Sequence, residues 1–131
     1  MTIRINLSRS MNCVGIDVIE IGRIEQAVSR GGQHFLKRIY TDRELEACHG
    51  RLPALAARFA AKEAIMKLLG TGLRGLCWVD IETIPNSQGQ PIVYLSGGAK
   101  DIARKMGLRN IAISLSHTRE YAVASAIGSA D

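Results

Sequence analysis

Residues 53–69 constrain the fold of this 131-residue chain more than any other segment. Their apolar side chains cover almost every direction around a helix axis, at about 100° per residue. Pro53 suits a first helical position, and Gly70 suits the position just past the end of a helix. Because a helix that is apolar nearly all round is normally buried, the sequence predicts a central helix on which the other elements pack.

Four charged residues interrupt this apolar helix, namely Arg58, Lys62, Glu63 and Lys67. Measured from Arg58, the other three fall at roughly 40°, 140° and 180° around the axis, so all four lie on one half of the cylinder. One explanation is a solvated helix face with a Glu63–Lys67 pair one turn apart. The other is the wall of a site, where cations bind phosphate and the carboxylate binds a metal that bridges phosphate oxygens.

Asp17 is a second unusual charge, because it interrupts a β-branched, apolar segment, residues 14–21, that predicts a strand. A carboxylate buried without a partner costs on the order of several kcal/mol. An Arg or Lys side chain would satisfy Asp17, and so would a metal ion shared with Glu63. Mg²⁺ binds one or two protein carboxylates, keeps waters and binds substrate phosphates, and these carboxylates and cations fit that pattern.

Turn and cap signals divide the rest of the chain. Thr41 followed by Glu44 fits a capping box, so a helix should begin near Asp42. Gly31 and Gly32 should end a short helix that starts at residue 23 and finishes near residue 29. Further predicted elements are strands at 76–84 and 91–95, a helix at 101–106, and a hairpin of strands 110–116 and 121–127.

The predicted order of elements is β-α-α-α-β-β-α-β-β, and most strands that neighbour in sequence are joined as hairpins. This order favours an α+β fold with a largely antiparallel sheet packed around the long central helix. We expect residues 13–131 to form a single domain, and residues 1–12 to be an N-terminal extension.

Composition narrows the possible functions. A net charge of +5 favours acidic partners, but aromatic residues make up only 5%, which argues against stacking on single-stranded nucleic acid. The three cysteines are far apart and form no C-x-x-C motif, which predicts buried free thiols in a reducing compartment and no zinc site. Without a long apolar stretch or a signal-peptide core, we expect a cytoplasmic protein with neither membrane nor nucleic-acid partners.

Two further groups of residues are candidates for phosphate binding. The glycines of Gly70-Thr71-Gly72 either cap the central helix or allow backbone N–H groups to approach a phosphate. His117 and Thr118 lie at a predicted strand end, where such side chains donate hydrogen bonds to phosphate, although a single histidine is more often structural.

The chain resembles the holo-acyl-carrier-protein synthases, which are small bacterial 4′-phosphopantetheinyl transferases. The most specific segment is Arg58-Phe59-Ala60-Ala61-Lys62-Glu63-Ala64 with Lys67, and matching segments extend over about residues 13–127. The other matches are residues 15–24, residues 35–41 with Glu44, residues 70–72, residues 89–91, and residues 114–118 with Tyr121 and Ala122. The resemblance implies transfer of the 4′-phosphopantetheine arm of coenzyme A to a serine of an acidic apo-acyl carrier protein in fatty acid biosynthesis, with release of adenosine 3′,5′-bisphosphate.

The resemblance also implies roles for individual residues. Asp17 and Glu63 would hold Mg²⁺, which Mn²⁺ can replace, and Glu63 and Lys67 would be the catalytic residues. Arg23 stands where the family contacts the carrier protein, and the family is typically a homotrimer with active sites at subunit interfaces. The base that deprotonates the serine stays open between a water held by the metal and a carboxylate such as Glu63. The residues implied in coenzyme A binding are Arg58, Lys62, Lys67, Gly72, Gly89, Pro91, His117 and Thr118.

Other functions stay open on the residues alone. A basic binding module would dock an acidic protein or a nucleotide without chemistry, but it gives no reason for carboxylates at Asp17 and Glu63. A different Mg²⁺-dependent phosphoryl-transfer enzyme is a further alternative, although the G-x-x-x-x-G-K-[ST] motif is absent from the sequence. Within the family, an enzyme dedicated to a carrier protein of secondary metabolism is equally compatible with these residues.

Overall fold

A computed structural model describes Thr2 and residues 12–130 of the chain. Its elements are β1 Cys13–Glu20, α1 Ile21–Ile39, α2 Asp42–Cys48, α3 Leu52–Leu69, β2 Ile81–Pro85, β3 Pro91–Leu95, α4 Gly97–Lys105, β4 Asn110–His117 and β5 Tyr121–Ser129. The predicted α+β fold class and the predicted order of strands and helices are confirmed. The N-terminal extension predicted at residues 1–12 lies outside the described residues, except for Thr2 and Asn12.

Two antiparallel sheets pack around α3, the predicted central helix. Strands β1, β5 and β4 form the larger sheet in that spatial order, and β2 and β3 form a separate hairpin. In the larger sheet, Asp17 of β1 pairs with Ala124 of β5, which in turn pairs with Leu115 of β4. The hairpin predicted between the last two strands is confirmed.

Small residues allow α3 to approach the larger sheet closely. A Cβ atom at Gly15 would lie 1.9 Å from the carbonyl oxygen of Ala64, so only glycine fits at this position of β1. Ala60 of α3 and Ala124 of β5 are also fully buried in the core between the two layers. Since side chains alternate along a strand, this contact at Gly15 also turns Asp17, two residues later, towards α3.

Three element boundaries differ from the prediction by more than about two residues. Helix α1 continues to Ile39, because Gly32, at φ 52° and ψ −136°, kinks the helix without ending it. Strand β2 begins at Ile81, because Trp78–Asp80 forms a 3₁₀ turn in which the Asp80 carboxylate accepts a hydrogen bond from the N–H of Cys77. Helix α4 begins at Gly97, because the same carboxylate also accepts a hydrogen bond from the N–H of Gly98.

Several side chains of β1 that point away from α3 are apolar and exposed. The exposed fractions of Val14, Ile16 and Val18 on β1 are 67%, 57% and 59%. Ile127 of β5 pairs with Val14 and is also exposed. An exposed apolar face of this kind is typical of a protein–protein interface.

The structure also bears on the predicted state of the cysteines and on the question of a membrane-spanning helix. All three cysteines are free, but only Cys48 is buried; Cys77 is exposed beside the 3₁₀ turn, so the prediction of buried thiols is wrong for Cys77. Within the described part of the chain, none of the helices combines the length and the apolar character needed to cross a membrane.

Candidate active site

Asp17 and Lys67 form an ion pair where β1 packs on α3. The Nζ atom of Lys67 lies 2.9 Å from Oδ1 of Asp17 and donates a second hydrogen bond, of 3.0 Å, to the carbonyl oxygen of Ile16. The side chain of Asp17 is 13% exposed, whereas that of Lys67 is 55% exposed. The sequence allowed two partners for Asp17, a cationic side chain or a metal ion. The structure shows a cationic partner, Lys67, whose side chain is in contact with solvent.

Glu63 lies one helical turn before Lys67 and lines a cleft of about 350 Å³ together with Asp17 and Arg23. Burial raises the pKa of Glu63, the nearby charge of Asp17 raises it further, and Lys67 opposes both effects. A divalent cation would relieve this repulsion, because its charge favours the ionised form of both carboxylates. The structure therefore brings together the three residues predicted at the reaction centre.

The donors at this cleft fit Mg²⁺ better than a metal bound by protein alone. In residues 12–130, no cluster of three or more His, Cys, Asp or Glu side chains is available to enclose a metal ion. Mg²⁺ normally takes one or two carboxylates and completes its coordination with water and phosphate oxygens. Asp17 and Glu63 would supply the two carboxylates, and the open cleft leaves space for the remaining ligands.

The end of α3 forms a second cleft on the other side of Glu63, with a volume of about 520 Å³. Its lining includes Lys67 and Gly72. The N–H of Gly70 donates hydrogen bonds to the carbonyl oxygens of Met66 and Lys67. Gly70 therefore caps the helix, which is one of the two roles considered for the glycines of residues 70–72. Because glycine has no side chain, Gly72 contributes backbone atoms to this lining.

Arg58 and His117 meet in a different and larger cleft of about 710 Å³, which Arg51 also lines. Arg58 donates from Nε to the carbonyl oxygen of Thr83 at 3.2 Å and from Nη1 to that of Ala54 at 3.3 Å. The residues that line this cleft are distinct from those that line the two clefts at Glu63. Within one chain, Arg58 and His117 therefore line a different cleft from Asp17, Glu63 and Lys67.

Gly89, Pro91 and Thr118 lie in or beside turns. The hydroxyl of Thr118 accepts hydrogen bonds from the N–H groups of Glu120 and Tyr121, which closes the turn after His117. Gly89, at φ 82°, belongs to the turn between β2 and β3, and Pro91 is the first residue of β3. None of these three residues lines the clefts at Glu63 or Arg58.

Lys62 is a predicted coenzyme A contact whose side chain the structure buries. Its side chain has no exposed surface, and its ammonium donates hydrogen bonds to Oε1 of Glu44 at 2.7 Å and to the carbonyl oxygens of Trp78 and Ile81. Burial lowers the pKa of Lys62, and the charge of Glu44 opposes that change. Because its acceptors all lie inside the protein, the ammonium of Lys62 is bonded away from solvent, and its contact with coenzyme A stays a prediction.

Arg23 is the residue predicted to contact the acidic carrier protein. It is exposed on α1, lies 4.0 Å from the carboxylate of Glu20, and lines the same cleft as Glu63. No role in the site was predicted for Glu44 or Thr83. Glu44 matches a family segment and was predicted as a member of the capping box, which the structure confirms, and its carboxylate is also the partner of Lys62.

Comparisons with known proteins identify the family of this chain. The family model of the 4′-phosphopantetheinyl transferase superfamily matches residues 13–126. The holo-acyl-carrier-protein synthase of Dehalococcoides mccartyi strain CBDB1 is 50% identical, over 86% of this chain and 94% of that protein. The holo-acyl-carrier-protein synthase of Herpetosiphon aurantiacus is 43% identical, over 90% of this chain and 98% of that protein.

Solved structures show the same fold. The holo-acyl-carrier-protein synthase of Helicobacter pylori in complex with coenzyme A has a TM-score of 0.81 and 30% identity, and the match covers 88% of this chain and 98% of that one. The Bacillus anthracis str. Ames enzyme, in complex with coenzyme A (3′,5′-ADP), has a TM-score of 0.74 and 34% identity, with 91% and 96% coverage.

Proposed function

Because this chain belongs to the 4′-phosphopantetheinyl transferase superfamily, as one of its holo-acyl-carrier-protein synthases, we propose that it loads an acidic apo-acyl carrier protein for fatty acid biosynthesis in the cytoplasm. In this Mg²⁺-dependent reaction, a serine of the carrier receives the 4′-phosphopantetheine arm of coenzyme A, and adenosine 3′,5′-bisphosphate leaves. The observation that carries the proposal is the placement of Asp17, Glu63 and Lys67 around two clefts that share Glu63.

Asp17 and Glu63 would hold the Mg²⁺, or Mn²⁺ in its place, whose charge would neutralise the pyrophosphate of coenzyme A. Lys67 has an exposed ammonium, so it can exchange its contact with Asp17 for a phosphate oxygen. There it stabilises the negative charge that grows as the phosphate is attacked. The serine proton goes to a water or to Glu63, which are the two acceptors that the resemblance leaves open.

Arg58 and His117 would bind the 3′-phosphate and thereby hold the leaving bisphosphate. A guanidinium suits this task because its planar fork of N–H donors matches the oxygens of a phosphate. The cleft that the two residues share has space for a nucleotide, at about 710 Å³. We assign further contacts to Gly72 and Thr118 with phosphate groups, and to Gly89 and Pro91 near the adenine, on the strength of the resemblance.

The assembly that we propose is a homotrimer with active sites between subunits. Two observations support it. Arg58 and His117 line a different cleft from Asp17 and Glu63, so a single coenzyme A would draw one group from each of two chains. The exposed apolar face at Val14, Ile16 and Val18 offers a surface for subunit contact.

Light scattering tests the assembly. We expect wild type to have the mass of three chains, and Val18→Lys to lower both the mass and the transfer rate, because the lysine places a charge on the apolar face. The matched control is Lys105→Glu on α4, which should keep both. A fully active monomer would contradict the shared site.

Carrier loading tests the function itself. The chain is incubated with coenzyme A, Mg²⁺ and an apo-acyl carrier protein, and the intact mass of the carrier is measured. We expect a gain of one phosphopantetheine, which is abolished by EDTA or by replacing the acceptor serine of the carrier with alanine. A folded chain that binds coenzyme A but leaves the carrier mass unchanged would instead be a binding module.

A further inference from the structure

Charged side chains form hydrogen bonds with the backbone of strand β2 along the edge that does not pair with β3. One edge of β2 pairs with β3. At the other edge, the N–H of Thr83 donates to Oε2 of Glu44 at 3.0 Å, and the carbonyl oxygen of Ile81 accepts from Lys62. The carbonyl oxygen of Thr83 accepts from Nε of Arg58 at 3.2 Å. Backbone groups that a sheet edge would otherwise leave unpaired are therefore bonded by side chains of α2 and α3.

Glu44 and Lys62 form a fixed unit behind this edge. Both side chains are fully buried, and they lie 2.7 Å apart. Oε1 of Glu44 also accepts from the N–H of Thr41 at 3.1 Å, and Lys62 also donates to the carbonyl oxygen of Trp78 at 3.1 Å. Since each charged atom of the pair is bonded within the protein, the pair fixes β2 against α2 and α3.

Arg58 takes its orientation from the same strand. Its hydrogen bond to Ala54 lies within α3 and moves with that helix, whereas its hydrogen bond to Thr83 joins it to β2. Thr83 takes part through its peptide groups, because its own hydroxyl is buried without a hydrogen-bond partner in the part of the chain that the structure describes. The line of contacts therefore runs from Lys62 and Glu44 through the backbone of Thr83 to the guanidinium that lines the larger cleft.

We propose that Glu44 and Lys62 are positioning residues for Arg58, and that this network sets the preference of the enzyme for a nucleotide that carries a 3′-phosphate. The inference rests on the proposed function, in which Arg58 binds that phosphate. A planar guanidinium recognises phosphate through two directed hydrogen bonds, so its angle matters as well as its charge. A shift of β2 would leave the charge of Arg58 in the cleft but would turn the fork away from the phosphate.

Steady-state kinetics with coenzyme A and with its analogue lacking the 3′-phosphate test the proposal. For Glu44→Gln, we expect the KM for coenzyme A to rise about tenfold, because a hydrogen bond to a charged group is weakened. The KM for the analogue should stay within about twofold of the wild-type value. The preference for coenzyme A should fall about as far in Arg58→Met, which removes the guanidinium itself. Ala103→Gly, in the core beside α4, is the control for lost stability and should keep the wild-type preference.

Two other outcomes would contradict the proposal or the contact of Arg58 on which it rests. If Glu44→Gln slows transfer equally with both nucleotides, the network serves the fold alone and the proposal is overturned. If Arg58→Met keeps the wild-type preference, the proposed contact of Arg58 with the 3′-phosphate fails, whatever Glu44→Gln does.

A second variant tests the proposal if Glu44→Gln does not fold. The double variant Glu44→Leu with Lys62→Met replaces the buried pair by apolar side chains, a change that proteins often tolerate, and it should show the same loss of preference. Failure of both variants to fold, while Ala103→Gly folds, would assign the pair to folding and would also overturn the proposal.

Discussion

Helix α3 carries two lysine–carboxylate pairs that have the same chemistry in opposite environments. Lys62 and Glu44 lie 2.7 Å apart with no exposed surface, whereas Lys67 and Asp17 lie 2.9 Å apart with the lysine 55% exposed. The buried pair has all its hydrogen bonds inside the protein, so it cannot exchange a partner for a ligand. The exposed pair is weak and open to solvent, so it can. Burial, and not the type of residue, separates the lysine bonded inside the protein from the lysine that we propose acts in the reaction.

Removing the buried lysine should have the largest effect on stability. We expect Lys62→Met to lower the free energy of unfolding by about 3–5 kcal/mol, because it leaves the carboxylate of Glu44 buried without its cation. Lys67→Met should lower it by less than about 1 kcal/mol, as for other exposed pairs. Urea denaturation of both variants measures the difference, and equal losses would contradict the contrast between the pairs.

Activity should show the reverse order. We expect Lys67→Met to lower the transfer rate about 10²–10³-fold, as is typical when a group that stabilises transition-state charge is removed. Carrier loading under saturating substrates measures this loss, with circular dichroism to confirm the fold. Lys67→Arg, which keeps the charge, should retain part of the rate. A Lys67→Met variant with the wild-type rate would remove Lys67 from the reaction centre.

The sequence was sufficient to select Asp17, Glu63 and Lys67, which the structure brings together, but not to separate the two lysines. Asp17 and Glu63 stood out because each is a carboxylate in an apolar segment. The helical wheel placed Lys62 and Lys67 on the same half of α3, and only the tertiary partner of each one distinguishes them. The partner of Lys62, Glu44, comes from another helix, and a helical wheel cannot show such a contact.

Helix α1 shows a similar limit on what the sequence predicts. Gly31 and Gly32 correctly marked a break in regular helix, but the chain resumes its helix after Gly32 and buries Ile39 in the same core cluster as Ile24. Packing of that second half on the core overrides the local preference of glycine for a helix end.

Arg23 tests whether the cleft at Glu63 faces the carrier protein. We expect Arg23→Glu to raise the KM for the carrier about tenfold at low salt, and that for coenzyme A less than twofold, because the carrier is acidic. Arg104→Glu on α4 makes the same change in net charge away from the cleft, so it is the matched control. Equal effects on both KM values, or the same effect in the control, would count against docking at Arg23.

Tyr40 lies near the buried pair and gives the smallest expected effect. Its hydroxyl donates to the carbonyl oxygen of Leu55 at 2.7 Å, and burial raises its pKa far above the ordinary value of 10.0. Above pH 10, the unfolded chain therefore releases a proton that the folded chain keeps, so this group lowers stability as the pH rises. At neutral pH, Tyr40→Phe should cost about 1 kcal/mol for the lost hydrogen bond.

The free energy of unfolding, measured as a function of pH, separates the contribution of Tyr40 from those of Cys48 and Lys62. Burial also raises the pKa of Cys48, which adds to the alkaline loss, whereas the lowered pKa of Lys62 makes stability rise with pH up to about its ordinary value of 10.5. Both contributions are common to wild type and Tyr40→Phe. We therefore expect the variant to lose stability less steeply above pH 10, and parallel profiles would contradict the buried phenol.

The most direct test of the reaction centre is the rate of carrier loading as a function of Mg²⁺ concentration in wild type, Asp17→Asn and Glu63→Gln. If the two carboxylates hold the metal beside Lys67, both variants stay folded, lose transfer at low Mg²⁺ and regain part of it as Mg²⁺ is raised. A Glu63→Gln enzyme that keeps the full transfer rate at low Mg²⁺ would contradict the account.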